Sequence, residues 1–547
     1  MLDSSTNTGV LFLPAQSKKL EGIYLQDEWR YNRKLTLNLG IRQEIQNAPT
    51  NRHNTAEFFD PQAANPLGAT MGTPLQGALI FASPDHRGTY DTNFKNFAPR
   101  LGFSYNVVPK LVMRGGYGIF FPTSAFLNQT PTDGFSASTN TVAALSGSRL
   151  PNPAVSVSNP WPQGLRTPTG NSLGMLEDVG YGIGGAYFRS RHSGYVEQYM
   201  LGFQYAFRDN DVLDVSYVGS TGKHQYLNGL NVSQLDPKYL SLGTTALNQA
   251  VANPYYGYIK SGQSGCSLDQ ATVAQSQLLQ PYSQYCGVSE NAASVAFANY
   301  NSLQANFNHR FSQGLNLLVS YTFSKFIDNA EGTNNWSYTG NSGPANNYNL
   351  AAEKSVDAGD IPHALVVNYI YNLPIGKGKK IGGEFNRATD AVLGGWQVSG
   401  ITTIKAGIPL GFSGNNINSY GGNPRPDVIG DLHAQKRSIN EWFNTGAFAY
   451  AKYGTFRTAP RFFSNLRGPG YQNWDLAIMK NWAMPKETRL QFRAEMFNAF
   501  NHPNFYTPNT NYGGCDPNTS SSCSSSFGKI TNTFFARDVQ MAAKFYW

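Results

Sequence analysis

Apolar and polar positions alternate with period two in short stretches spaced along the chain. Residues 20–31 (LEGIYLQDEWRY) and 34–44 (KLTLNLGIRQE) are two such runs separated by Asn32-Arg33, with Leu35, Leu37, Leu39 and Ile41 on one face. Alternation of this length predicts half-covered β-strands, and the short break joins them as a hairpin. The other face of the second run carries Lys34, Thr36, Asn38, Arg42 and Glu44, a set that suits a wet lumen and not a dry core. Asp27 shares the parity of Ile23, Leu25 and Trp29, so it calls for an interface position or a bulge.

The unit recurs. Residues 97–107 pair with 111–121 across Val108-Pro109-Lys110, 195–207 with 212–220 through RDND, and 302–311 with 315–327 through Ser312-Gln313-Gly314. Residues 362–373 pair with 395–413 over a longer connection containing IGKGKK, and 473–483 with 488–500 through MPKE. Residues 537–547 stand alone, with Val539, Met541, Ala543, Phe545 and Trp547 alternating against Asp538, Gln540, Ala542, Lys544 and Tyr546. The sum is about 13 strands, each near the roughly 9 to 11 residues that a tilted membrane-spanning strand needs; a further one near residues 10–13 would make about 14. Connections within hairpins are mostly short, whereas those between hairpins (45–95, 122–194, 221–301, 328–361, 414–472 and 501–536) are long. Short turns alternating with long loops indicate an all-β fold, a transmembrane antiparallel β-barrel of outer-membrane type. The barrel occupies residues 20–547, and 1–19 read as an amino-terminal loop remnant.

Strand parity sorts the side chains. Tyr31, Phe207, Phe311, Trp482 and Trp547 fall outward near the turns, and Phe121, Tyr217, Phe323 and Phe500 near the loops, as two aromatic girdles. Arg42, Glu44, Arg100, Arg114, Asp214, Arg489, Arg493 and Glu495 have lumen parity. They either line a path or hold a plug, or form a charge lattice that stiffens the wall. The long loops, rich in Asn, Gly, Ser, Tyr and Pro, carry aromatic segments around Trp161 and Trp336 that suit sugars or peptides; ordinary solvated outer loops are the plainer reading.

Composition agrees with one large barrel. Only 14% of the 547 residues are charged, 13% are aromatic, and the mean hydropathy is −0.38. No run approaches the roughly 18 apolar residues of a transmembrane helix, and barrels escape such searches because half of each strand is polar. The net charge of +8 is scattered without a basic block, which argues against nucleic acid as a partner. Cys266 with Cys286, and Cys515 with Cys523, lie in two separate loops, where in-loop disulfides would fit an oxidising compartment. Neither pair has metal-ligand spacing, no catalytic motif has its required context, and no cofactor or enzymatic activity is expected.

Several segments in this order resemble the barrel of Oar-like TonB-dependent receptors, common in Acidobacteria. They are LQDEWRYNRKLTLNLGIRQE, NFAPRLGFSYN, LVMRGGYGIFF, YVEQYMLGFQY, DVSYVGSTGKH, YNSLQANFNHRF, DIPHALVVNYIYNLPIGKGKK, GGWQVSG and RAEMFNAFNHPNF. The resemblance implies an outer-membrane barrel of about 22 strands, preceded by a plug and a carboxypeptidase-regulatory-like domain. It also implies import of an unnamed bulky ligand, with TonB acting through the plug. Val539, Met541, Phe545 and Trp547 resemble the carboxy-terminal signal read by the barrel-assembly machinery, so that machinery and outer-membrane lipid are expected partners. An odd strand count, a first strand running down from the loop side and an amino terminus without signal-peptide features give the expectation of a carboxy-terminal receptor part lacking its plug. The alternatives are a stand-alone 14-stranded passive porin-like barrel, or a structural or adhesive surface barrel.

Overall fold

The structure is a computed structural model that describes residues 7–122, 133–140, 153–330, 344–413, 425–450, 454–512 and 526–547, apart from positions 11, 13, 14, 154, 157, 163, 166, 228, 261–263, 313, 486 and 487. Its dominant feature is one antiparallel sheet whose main path holds thirteen strands. In chain order these are β1 (Leu20–Arg30), β2 (Leu35–Gln46), β3 (Asn93–Val108), β4 (Leu111–Phe120), β5 (Tyr195–Arg208), β6 (Asp211–Leu227) and β7 (Ala293–Ser312). They continue with β8 (Leu315–Asp328), β9 (His363–Asn372), β10 (Trp396–Lys405), β11 (Tyr471–Ala483), β12 (Arg489–Phe497) and β13 (Asp538–Tyr546). Each strand pairs with its neighbours in sequence, so the sheet is an up-and-down meander.

The ladders fix which side chains share a face. Val319 of β8 lies between Phe307 of β7 and Val367 of β9, while the adjacent Ser320 lies between Asn306 and Val366. Continued around the sheet, one face carries Leu25, Leu39, Leu101, Phe203, Leu213, Leu303, Phe323, Met541 and Phe545, all exposed. Among the described residues no protein layer covers this belt, which is the arrangement lipid requires. The ladder of β1 on β2 runs through Asp27 opposite Leu39 without a bulge, so Asp27 stays on the apolar face.

Register shifts beside the turns, at Asn106/Val108, Ala206/Arg208 and His309/Ser312, tighten the chain for reversal. The fifth turn is built differently. Its helix, Arg387–Leu393, presents the Val392 and Ala391 carbonyls to the indole N–H groups of Trp396 and Trp482, at 2.9 and 2.8 Å. Lys480 sits between those two rings and donates to the Gly394 carbonyl, so a cation at an outward position is satisfied where the wall meets the turn.

At the other rim, β6 and β7 run to 17 and 20 residues, well beyond the roughly 9 to 11 that cross a membrane. The excess stands above the wall and carries the loops. The further strand expected near residues 10–13 lies largely outside the described residues, since positions 11 and 13 do; Asn7–Val10 pairs with Ala137–Asn140 among the loops. Among the described residues, β1 and β13 each have a ladder on one side only.

The facing assignment predicts unequal costs for one substitution at adjacent positions. Val319→Arg should destabilise the protein refolded in phospholipid vesicles by about 2–4 kcal/mol, whereas Ser320→Arg should stay within about 1 kcal/mol, as read by denaturant titration.

Candidate functional site

Two surfaces can meet a solute: the polar face of the wall and the loop assembly above it. On the polar face, the eight charges singled out by lumen parity are engaged locally. Arg42 Nε pairs with Glu44 Oε1 at 2.9 Å along β2. A side chain at Gly22, which faces Glu44 from β1, would collide with the Arg42 guanidinium, so the glycine leaves it room. Arg100 lies 4.8 Å over the Phe120 ring, and Arg114 donates to Gln204 Oε1 at 3.2 Å across β4 and β5. Asp214 accepts from Ser216 Oγ at 3.4 Å. On β12, Arg489 stacks 4.3 Å over Tyr546 of β13, Arg493 pairs with Glu495, and Glu495 also accepts from Gln540 of β13. These contacts link residues within a strand or between neighbours, and they do not converge on one centre.

Alternation alone missed the middle of this face. Between β8 and β12 a hollow of about 470 Å³ is lined by Leu318, Ile370, Ile401, Asp475, Arg493 and Glu495. It sets an apolar floor beside a carboxylate and an ion pair. The signal was present in runs such as NLLVS and LVVNYIY, which are apolar on both faces.

The loop assembly departs most from its reading as solvated loops. The dry clusters of the molecule lie there and not in the wall. Phe59, Leu79, Ile183, Ala186, Tyr285 and Val288 form one, drawn from the first three long loops. Phe412, Phe443, Phe448, Phe463 and Phe527 centre another, between the fifth and sixth loops, with the Phe412 and Phe448 rings 4.3 Å apart. Cys266 and Cys286 are joined by a disulfide and pack against the cluster of Leu67, Tyr255 and Leu268. Cys515, Cys523 and Trp336 lie outside the described residues.

Charge is buried with these clusters. Glu57 accepts from the Asp133 N–H at 2.9 Å, and burial first, then the Asp133 carboxylate, hold the Glu57 carboxyl well above its ordinary range. Burial likewise raises Asp133. Glu290 is pushed up to about 7 by burial, partly offset by Arg191. Arg191 is itself clamped 4.9 and 4.8 Å over Tyr90 and Tyr187. No period along the chain marks these residues.

Two outcomes follow for this loop crown. Cys266→Ser removes a cross-link spanning 20 residues, and should open the third long loop to limited proteolysis while the wall keeps its protection in lipid. The raised carboxyls stabilise the crown below their unfolded pKa, about 4.3 for Glu, and that contribution is lost as pH rises through their folded values. Hydrogen-exchange protection of loop peptides, taken relative to the base-catalysed intrinsic rate, should therefore fall as pH rises through about 7, the value for Glu290, and Glu57→Gln should reduce that pH dependence around residues 57 and 133.

Among solved structures the chain is similar to the outer membrane transporter YddB from Escherichia coli, at 9% identity over 96% of this chain and 54% of that one, with a TM-score of 0.40. It is also similar to the ferripyoverdine receptor of the outer membrane of Pseudomonas aeruginosa, at 10% identity, 97% and 39% coverage and a TM-score of 0.40. A third is the ferric yersiniabactin uptake receptor FyuA from Yersinia pestis, at 9% identity, 99% and 47% coverage and a TM-score of 0.39. The chain spans about half, or less, of the length of these proteins. No curated protein matches the sequence. Residues 2–540 match the family model of the outer membrane beta barrel domain, and the chain, an all-β protein of the outer membrane, belongs to that family.

Proposed function

We propose that the chain is the barrel wall and ligand-facing crown of a TonB-dependent receptor that imports a scarce, bulky ligand, with residues 20–547 as part of a larger barrel. The carrying observation is the contrast between the rims: one has mostly short turns, the other a crown with its own dry cores and a disulfide. Long loops mark the extracellular side of such barrels. A surface ordered before the ligand arrives spares the ordering entropy that flexible loops would lose, which favours tight capture.

The ordered segments resembling Oar-like receptors support the same reading, as do the free edges of β1 and β13. Open edges in lipid leave backbone groups without partners, and further strands would satisfy them. In this scheme the wall and crown bind and conduct, while the gate is a plug of the kind the resemblance implies. The inward charges stiffen the wall through their neighbour contacts, and the hollow beside Asp475 and Arg493 offers a mixed surface to whatever the lumen holds.

The test is uptake of a labelled panel of ferric siderophores, cobalamin, oligosaccharides and peptides by cells with and without the gene, each with and without TonB. Energised uptake of one ligand class should be lost on deleting either gene. Uptake that persists without TonB would mark a passive pore, and the absence of any ligand class across the panel would favour a structural or adhesive barrel.

A further inference from the structure

At the loop end of β8 the crown is tied to the wall by buried charge. Glu353, which ends a short 3-10 turn (Leu350–Glu353), is the node. Its Oε1 accepts from Arg425 Nη2 at 2.7 Å and from the Ala345 N–H at 2.9 Å, and its backbone carbonyl accepts from Arg461 Nε at 2.9 Å. Arg461 also pairs with Asp328, the last residue of β8. The side chains of Arg425, Glu353, Arg461 and Asp328 are only 5%, 2%, 4% and 3% exposed.

These contacts leave several polar atoms of the cluster unmet. Nε and Nη1 of Arg425, Nη1 of Arg461 and Oε2 of Glu353 are buried without a hydrogen-bond partner among the described residues. Buried donors on guanidinium groups are costly when unmet, and native proteins rarely leave several together. A third cation stands close: Arg457 is lowered to about 10 by burial first and by Arg425 next. Of the remaining nearby acids, Asp357 faces Asp328 and accepts at Oδ1 from the Gly359 N–H at 2.7 Å, and Asp427 Oδ1 accepts from the Thr458 N–H at 2.9 Å.

The unmet groups are of two kinds, several cationic N–H donors and one carboxylate acceptor. An oxyanion matches the donors, in the bidentate manner that guanidinium groups favour. A fully deprotonated oxyanion, however, would bring its own lone pairs against Glu353 Oε2. A protonated one answers both, offering bare oxygens to the arginines and an O–H to the carboxylate. We propose that Arg425, Arg461 and Glu353 form an enclosed site for hydrogen phosphate, whose binding locks the fourth long loop to the fifth at the barrel rim. The near-complete burial of all three side chains selects the free ion over a phosphate ester carried on a larger ligand. The site discriminates against sulfate, which carries no proton at neutral pH, because a buried acceptor left unmet rejects the analogue that lacks the donor.

Hydrogen-exchange mass spectrometry on the full chain in detergent micelles tests this, with inorganic phosphate, sulfate at matched ionic strength and glycerol 3-phosphate as probes. Phosphate should slow exchange saturably in 344–362 and 425–470, at concentrations at least about tenfold below those at which sulfate acts. Glu353→Gln, whose amide can also donate, should erase that preference, and Arg425→Met should abolish the effect. Equal responses to phosphate and sulfate, or no saturable protection, would overturn the proposal and leave buried water as the bridging group. Protection by glycerol 3-phosphate as strong as that by phosphate would refute the enclosed site for a free ion. Should Arg425→Met not assemble, the contrast between anions in the unsubstituted protein and in Glu353→Gln decides.

Discussion

Lipid offers no hydrogen bonds, so every backbone N–H and C=O that crosses the membrane must find its partner in the protein. This constraint organises the whole chain. It requires continuous ladders from β1 to β13, and the ladders force successive side chains to opposite faces. One face meets lipid and is apolar; the other meets the lumen and carries the charged and amide groups. The same requirement gives the two edge strands their importance, because there, among the described residues, the ladder has only one side.

The constraint ends at the rim, and with it the logic of the wall. Above the membrane the chain is free to bury apolar groups against one another, and it does so among the loops. Phe59, Tyr285, Phe443 and Leu466 are fully buried, whereas Leu25, Met541 and Phe203 on the wall are exposed. A globular protein concentrates its hydrophobic side chains in one interior. Here they are divided between a lipid-facing belt and several small dry clusters in the crown, and the long strands β6 and β7 join the two regions.

How much was legible follows from this division. Each hairpin is visible in the sequence because period two persists for about ten residues and turn chemistry marks its end. Arg30 and Leu35 bound the first turn within a residue or two of where alternation breaks, and Ser312 and Leu315 bound the fourth. The crown was not legible, since its clusters join residues far apart in sequence and share no period: Phe59 meets Tyr285, and Phe412 meets Phe527. Asn7–Val10 shows the hazard, because its pairing with Ala137–Asn140 is set by the loop assembly. The buried pairs of Arg425 with Glu353 and Arg461 with Asp328 were equally hidden, as no spacing rule relates them. The lumen charges were placed by parity, but their contacts depend on the register between neighbouring strands.

The central claim is the facing of the wall, and spin-label accessibility along β8 measures it most directly. Labels placed singly at 316–323 in the lipid-reconstituted protein should alternate. Positions 317, 319, 321 and 323 should collide preferentially with oxygen dissolved in lipid, and 316, 318, 320 and 322 with a water-soluble nickel chelate. Uniform accessibility, or the opposite phase, would contradict the account.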